Sequence, residues 1–350
     1  MIFLHKNNIP PTHSNHVRSL SHRLFPYLVF LALTFPSAAR ASEIIPLYGF
    51  NQSPVIGIFG LPTLDPARVL DKNETAFSIR GQISNNYSGA VNATERLIFD
   101  GETHRLILVV RQGMGSGREW AMELPYFSHN GGFLDSSVER FHDTFGFKQG
   151  GRTDVPRDRI DYRFTRKGEN LFRVNRPVSG VGDLRLAGAV QLRREAAQNG
   201  YDVALRGSLK LPTGDSAYLF GSGSTDLAMW LSIAREARPK TWKGYGGVGL
   251  LLVGQGDVLP SQQHRYVGFG TLGFARKFSS RLTFNAQLDA HTPFYDGTSF
   301  RQFNAYAAQG LVGLVWEFAP KTYFEFSVSE DVVVNTSPDA VFQISVTLPF

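Results

Sequence analysis

The sequence predicts an all-β protein: an antiparallel up-and-down transmembrane β-barrel of about 12 strands, within a range of roughly 10 to 14, with a short amphipathic helix in a long loop. Three observations predict this fold. Segments of about ten residues alternate apolar and polar side chains, as strands between lipid and a wet interior do. The last such segment ends on Phe350. Short and long connections also alternate along the chain.

A leader precedes the predicted barrel. Arg18 and Arg23 stand before the apolar run 24–35, and Ala39-Arg40-Ala41 is the small-residue pattern of a cleavage site. Residues 1–41 are therefore predicted to be a cleaved signal peptide. The alternative is a membrane-anchoring helix, which is disfavoured because the run is short and ends at Pro36.

Composition limits the function of the remaining chain. The protein has 350 residues, of which 42% are hydrophobic and 19% charged, with a formal net charge of +6. Four basic and no acidic residues lie in the leader, so the rest is nearly neutral and is not expected to bind nucleic acid. No apolar run of about 20 residues follows the leader, which argues against a helical membrane protein. The absence of cysteine excludes thiolate metal ligands and cysteine nucleophiles.

Residues 42–74 are predicted to lie outside the barrel wall. Pro46, Pro54, Pro62 and Pro66 prevent a long strand, yet the residues between them are too apolar for a free tail. Two interpretations stay open. The segment either plugs the lumen or forms a periplasmic extension with one short strand.

The predicted barrel, residues 75–350, begins with a strand from Thr75. His104–Gln112 and Glu119–Ser128 are the next strands, joined by a tight glycine turn. The first of them is apolar on both sides at residues 106–110, which indicates lipid outside and a packed plug inside. Glu95–Phe99 is either a separate strand or the upper part of a hairpin.

A long loop, residues 129–181, interrupts the strand pattern. Leu134, Val138, Phe141 and Phe145 recur at helical spacing and predict a short amphipathic helix. A polar, arginine-rich stretch follows. A loop of this length is expected to fold into the lumen or to cap an opening.

The second half alternates more regularly. In residues 201–211 the charges of Asp202, Arg206 and Lys210 share one face, while the other face is apolar or glycine. Further strands are predicted near residues 183–193, 225–234, 242–253, 266–277, 282–290, 305–318, 322–330 and 340–350. With Phe350 placed in the periplasm, the connections alternate between long external loops and short periplasmic turns.

Charged residues on these strands are predicted to face inward, because an arginine facing lipid at mid-depth costs about 2–4 kcal/mol. Mixed signs favour pairs that brace the wall over an open pore. The predicted lumen-lining residues are Arg80, Asp183, Arg185, Arg193, Asp202, Arg206, Lys210, Asp289 and Glu325.

The last strand carries a predicted assembly signal on its apolar face. Its C-terminal aromatic resembles the signal that the barrel-assembly machinery of bacterial outer membranes reads. The residues of this signal are Phe342, Ile344, Val346, Leu348 and Phe350.

No catalytic, cofactor-binding or metal-binding residue is predicted. The five histidines after the leader show no metal-ligand spacing. Ser128 and His129 are adjacent on a strand and point to opposite faces, and no G-x-S-x-G motif is present. Pairs of His129 with Ser136 or Ser137, and of His291 with Ser299, stay open because they lie in loops.

Several motifs resemble one protein family. They are Leu209-Lys-Leu-Pro-Thr-Gly-Asp215, Gly221-Ser-Gly-Ser-Thr-Asp226, Pro125-Tyr-Phe-Ser-His-Asn-Gly-Gly-Phe-Leu-Asp135, Phe141-His-Asp143 and the C-terminal strand. Together they resemble the DUF3187 family of proteobacterial outer-membrane proteins over essentially the whole chain after the leader. The resemblance implies an outer-membrane barrel and transfers no catalytic residue. The first two motifs also look like barrels linked to uptake of aromatic or fatty compounds.

These observations predict a monomeric barrel in the bacterial outer membrane that passes or binds a small, apolar solute. The expected partners are outer-membrane lipid, the barrel-assembly machinery and that solute, with no cofactor. Two alternatives remain: a barrel-bound lipid hydrolase, and a sealed structural or partner-binding barrel.

Overall fold

The computed structural model describes residues 44–146, 155–194, 200–235, 242–333 and 336–350. The predicted signal peptide lies outside the described residues. In chain order the elements are β1 Thr75–Val91, β2 Glu95–Gly115, β3 Arg118–Asn130, α1 Asp135–Phe145, β4 Asp161–Arg166, β5 Glu169–Val174, β6 Val178–Val181, β7 Leu184–Arg193, β8 Tyr201–Leu211, β9 Asp226–Arg235, β10 Trp242–Leu252, β11 Tyr266–Lys277, β12 Leu282–His291, α2 Arg301–Asn304, β13 Ala307–Ala319, β14 Thr322–Asp331 and β15 Ala340–Pro349.

Twelve strands close into one antiparallel barrel, which confirms the predicted fold class. The ring runs from β1 through β2, β3 and β7 to β15, and each strand pairs with the next. β15 pairs with β1 and closes the ring, and Thr75 and Phe350 exchange backbone hydrogen bonds of 2.9 and 3.3 Å at this seam. Closure leaves no unpaired strand edge in the wall.

The period-two pattern separates an outer from an inner face. On β9, Met229 and Leu231 are 53% and 42% exposed, whereas the neighbouring Ala228 and Trp230 are 0% and 3% exposed. The apolar side chains that are exposed on the outside of a barrel are those that contact lipid. Among the described residues, no helix has the length and hydropathy that a membrane-spanning helix needs.

The first hairpin is longer than a membrane requires. β1 and β2 have 17 and 21 residues, against about 9–11 for a spanning strand. Glu95–Phe99 is the first part of β2 and not a separate strand. The surplus length carries two further strands, because β4 pairs with residues 95–100 and β5 pairs with β4.

The long loop contains more structure than its sequence suggested. Helix α1 confirms the predicted amphipathic helix. The polar, arginine-rich stretch contains β4 and β5, for which no strand was predicted, and β6 adds to the upper end of β3. The hairpin formed by β4 and β5 buries the aromatic side chains of Tyr162, Phe164 and Phe172 at this end.

The connections define the two ends of the barrel. Residues 116–117 and 320–321 are tight turns at the end where β1 begins and β15 ends. The described parts of the long connections, residues 131–146, 155–183, 212–225, 253–265 and 292–306, lie at the opposite end. By the rule that bacterial barrels keep short turns in the periplasm, the first end is called periplasmic and the second external below.

Candidate functional site: the lumen and the segment that fills it

The barrel interior is occupied by the N-terminal segment, residues 44–71, which we call the plug. Its first arm rises through the lumen: the backbone N–H of Leu47 donates to Gln287 at 3.1 Å and that of Tyr48 donates to Glu325 at 3.3 Å. Asn51 then reaches His291, 3.0 Å away at the external end of β12. The predicted alternative of a periplasmic extension is not what the structure contains.

The tip of the plug lies among the external loops. Residues 53–60 form a turn there, and the Phe59 ring stacks on Phe294 with centroids 4.8 Å apart. Tyr295 donates a 3.0 Å hydrogen bond to the backbone oxygen of Val55. Around this tip, rings from the loops and from the β4–β5 hairpin pack as one apolar cluster, which includes Phe99, Tyr162, Phe164, Phe172, Phe300 and Phe303.

The second arm of the plug descends along the opposite wall. Pro66 accepts a hydrogen bond from Arg206, and the N–H of Val69 donates to Gln191 at 2.7 Å. At the periplasmic end Asp71 pairs with Arg194 at 2.5 Å. The hydrogen bond from Arg194 lowers the pKa of Asp71 below its ordinary value, so this carboxylate stays charged at neutral pH.

A buried cationic centre holds the tip. Lys210 Nζ lies 2.6 Å from Asp183 and 3.2 Å from Asp226, and it also donates to the Ile58 backbone oxygen at 3.2 Å. Asp226 in turn accepts from the backbone N–H of Gly60 at 2.8 Å. Wall and plug therefore share one network at this point.

A second network lies lower in the lumen. Glu119 accepts two hydrogen bonds from Arg111, at 2.8 and 2.9 Å, and lies 3.2 Å from Arg206. It also accepts from the backbone N–H of Leu70 at 2.9 Å. Arg206 lies 3.8 Å from Asp65 of the plug. Burial raises the pKa of Asp65, but Arg206 and the other nearby arginines outweigh burial and leave the pKa below its usual value.

Tyr48 separates two cavities beside the plug. The upper cavity, of about 50 Å³, is lined by the plug tip and by β2, β3, β7 and β8. The lower cavity, of about 80 Å³, lies at the periplasmic end between the plug and β1, β14 and β15. Tyr48 borders both, donates to Glu123 at 2.8 Å, and lies under the guanidinium of Arg80, whose central carbon is 4.0 Å from the ring centre.

Eight of the nine predicted lumen-lining residues lie at the inner surface. Arg206 and Lys210 belong to the networks above, Arg185 pairs with Glu123, and Asp289 accepts from Thr271 at 2.6 Å. The others are Arg80, Asp183, Asp202 and Glu325. Mixed signs have produced bracing pairs between wall, loops and plug.

Arg193 is a correction to that prediction. A β-bulge between Gln191 and Arg193 shifts the register, so that Arg193 pairs with Val203 of the outward set on β8. Its guanidinium carbon lies 4.2 Å from the centre of the exposed Tyr201 ring. One extra residue in a strand moves every following side chain to the other face.

The prediction missed further inward charges among the described residues, among them Arg105, Arg111, Glu119, Glu123 and Asp226. Arg105 and Arg111 share the period-two face of β2 with Ile107 and Val109, so the pattern of that strand contained the signal. It was hidden because the same strand is apolar on both faces at its centre. Phe342, Ile344, Val346 and Leu348 of the predicted assembly signal lie on the outward face of β15, and Phe350, which follows the strand, packs edge-on against Phe77.

The described histidines of the lumen are bonded to groups other than serine. His129 lies 2.8 Å from Thr103 Oγ1 and 3.4 Å from the Leu219 backbone oxygen. His291 contacts Asn51 and the backbone oxygen of Thr292. Within the described ranges, no three His, Asp or Glu side chains are grouped as metal ligands would be.

One protein family and several solved outer-membrane barrels are similar to this chain. The family described as "Protein of unknown function (DUF3187)" matches residues 25–350. A search of curated proteins found no match. Among solved structures, a COG4313 outer-membrane channel from Pseudomonas putida F1 is 14% identical with a TM-score of 0.56, and the alignment covers 82% of this chain and 100% of that one.

Two more solved barrels are less similar. The NanC porin is 11% identical with a TM-score of 0.44 and covers 78% of this chain and 98% of its own. The CymD monoaromatic hydrocarbon channel is 12% identical with a TM-score of 0.39, and the alignment covers 80% of this chain and 89% of that one. At these identities the likeness concerns the fold.

Proposed function

Since the chain belongs to the DUF3187 family, whose match spans residues 25–350, we propose that it is an outer-membrane channel or binding barrel for a small apolar solute, closed by its own plug. The observation that carries the proposal is the way the lumen is filled. Residues 44–71 are separate from the wall, and they rise and return within it on hydrogen bonds to wall side chains. A segment that is separate from the wall can act as a gate, which a strand of the wall cannot do.

The two cavities support a stepwise path. Aromatic and aliphatic groups line the upper one together with several charged side chains, while the lower one opens among polar side chains towards the periplasmic end. Tyr48 is the side chain between them. A solute that moves the plug would meet the aromatic rings of the upper cavity first and the polar exit second.

The hydrolase alternative has less support. A serine hydrolase needs a histidine that accepts the serine proton and a group that orients it. The two ring nitrogens of His129 contact Thr103 and a backbone oxygen. Those of His291 contact Asn51 and a backbone oxygen.

We also propose that residues 1–41 direct export and are removed, that the assembly machinery reads the outward side chains of β15, and that the barrel works as a monomer. Closure removes one route to a dimer, because a closed wall leaves no strand edge with which a second copy could pair.

The test is single-channel conductance in planar lipid bilayers. The complete mature protein is expected to conduct little, and a variant lacking residues 44–71 is expected to conduct several-fold more, because the deletion empties the lumen. A variant shortened within residues 132–181 is the matched comparison for removal of a loop. If none of the three forms conducts, the channel is rejected and the sealed barrel remains.

A further inference from the structure

Arg105 is a buried lumen cation without an acidic partner. It is 5% exposed, and the ion pairs among the described residues do not include it. Its Nη2 donates to the backbone oxygen of Gly57 in the plug at 3.0 Å. Its Nε has no hydrogen-bond partner in the described part of the chain. A buried guanidinium is costly to leave in this state.

Other arginines of the same barrel show what the vacant edge is suited to bind. Arg111 holds Glu119 through Nε and Nη2, at 2.8 and 2.9 Å, and Arg159 holds Asp100 through the same two atoms at 2.8 and 2.6 Å. Arg105 offers this pair of atoms with one position taken by a peptide oxygen and the other empty. Arg206 also has an unpartnered Nε, but its Nη1 lies 3.2 Å from Glu119.

The guanidinium of Arg105 is held in place by aromatic rings. Its central carbon lies 4.4 Å from the ring centre of Phe127 and 4.9 Å from that of Phe50. Such stacking fixes the plane of the donor fork. The fork lines the upper cavity, whose other walls include Ile107 and Phe220. The site thus combines one oriented cation with aromatic and aliphatic side chains, beside charges that are paired with one another.

The remaining charges of this cavity are already satisfied. Glu123 is bonded to Arg185, and Asp183 is bonded to Lys210, which also lies 3.2 Å from Asp226. Arg105 is therefore the lining charge that an incoming anion can neutralise. A carboxylate, which has two oxygens and one negative charge, matches the free donors and the single charge of Arg105. A dianionic phosphate would bring a second negative charge into a buried place that has no further free cation.

We infer that Arg105 binds the carboxylate of a small monocarboxylate with an alkyl or aryl body, and that this carboxylate replaces the Gly57 oxygen. The inference rests on the proposed function, because the cavity of about 50 Å³ is too small for such a body. A benzene-sized molecule needs about 150 Å³. The plug tip must therefore withdraw as the ligand binds, and the ligand supplies Arg105 with a better partner than the one it loses.

The experiment is titration calorimetry on the complete mature protein in detergent at neutral pH. Four probes separate charge from body: hexanoate, 1-hexanol, acetate and hexyl phosphate. Wild type is expected to bind hexanoate at least about tenfold more tightly than each of the other three. Arg105→Gln is expected to weaken hexanoate binding by roughly 10- to 100-fold, the range for a hydrogen bond to a charged group, and to leave hexanol unchanged.

Two further variants keep the test decisive. Arg105→Lys retains the charge but lacks the two-atom fork, so its affinity for hexanoate should fall between those of wild type and Arg105→Gln. Arg96→Gln removes an exposed arginine from the same strand and should change nothing. The gel mobility of unheated samples shows that each variant is folded.

Four outcomes would overturn the inference, and the first three concern how binding differs between probes or variants. They are equal binding of hexanol and hexanoate, preference for hexyl phosphate, and unchanged hexanoate binding in folded Arg105→Gln and Arg105→Lys. Absence of binding by every probe would overturn it as well. The conductance of the variant that lacks residues 44–71 does not depend on any of these four outcomes. The proposed channel can therefore be correct even if the carboxylate site is rejected.

Discussion

Lys210 links the wall of the barrel to the plug through a fully buried set of charges. Its side chain and those of Asp183 and Asp226 are 4%, 5% and 0% exposed. Removing one member of such a set leaves the other charges buried without a partner or solvent. This costs more free energy than the intact ion pair contributes.

Lys210→Met is therefore expected to lower the free energy of unfolding by roughly 3–5 kcal/mol. Urea unfolding of the barrel in liposomes measures this change. Lys167→Met, at an exposed turn, is the control and should stay within about 0.5 kcal/mol of wild type. Adding Asp226→Asn to Lys210→Met should recover part of the loss. A change below about 1 kcal/mol in Lys210→Met would show that water reaches these carboxylates.

Individual residues also mark where sequence reasoning stops. The inward positions of Arg206 and Lys210 follow from simple alternation on β8, which has no irregularity. The position of Arg193 does not, because a bulge is a local backbone event that period-two counting cannot detect. The partner of a charge is equally hidden. Nothing in the sequence distinguishes Arg105, bonded to a peptide oxygen, from Arg111, bonded to Glu119.

At the scale of elements, the plug is the part whose position governs function. Its tip meets the wall closely at Gly60, where a Cβ would lie 3.0 Å from the Cβ of Asp226. A disulfide spans about 3.5–4.5 Å between these atoms, so a small shift of the tip would accommodate one. The natural chain has no cysteine, so an introduced pair has no competitors.

A variant with Gly60→Cys and Asp226→Cys should show current that depends on redox state. Oxidation fixes the tip to β9 and should keep conductance at or below the wild-type level. Reduction leaves the tip without the Asp226 acceptor and should raise conductance several-fold. The conductance of the two single-cysteine variants should not change when the reductant is added. Equal current in both redox states of the double variant would mean that the tip is not the gate.

Elements differ in how far the sequence determines them. The wall strands were predictable because lipid on one side and a filled lumen on the other impose alternation. The β4–β5 hairpin was missed, although Tyr162 and Phe164, and Phe172 and Val174, are buried at period two. Five arginines at positions 157, 159, 163, 166 and 173 hid that pattern, since charge dominates any average over the stretch.

The whole molecule combines a lipid-facing wall with an interior filled by its own chain. The strand number and the closed topology follow from patterning and connection lengths. The choice between plug and periplasmic extension did not follow, because prolines exclude a strand without saying where the segment lies. That choice depends on contacts with seven strands, β2, β3, β7, β8, β9, β12 and β14, that no local window contains.

Expression of the full chain in a Gram-negative host should yield a protein that starts at Ser42 and fractionates with the outer membrane as a monomer. The physical reason is the leader, whose short apolar run and small-residue site are typical of segments that are removed after export. Intact mass and native mass spectrometry provide the measurement. Retention of residues 1–41 in the membrane fraction would show that the leader is an anchor.

Both ends of the plug lie at the same mouth of the barrel. Ile45 accepts a hydrogen bond from Asn285 in the lower half of β12, and Asp71 contacts Arg194 beside the first tight turns. A doubled ribbon that goes in and comes out through one opening involves no threading. The barrel can therefore close completely during biogenesis before this doubled segment enters it. A force from the periplasmic side can later extract the segment while every hydrogen-bonded strand pair of the barrel stays intact.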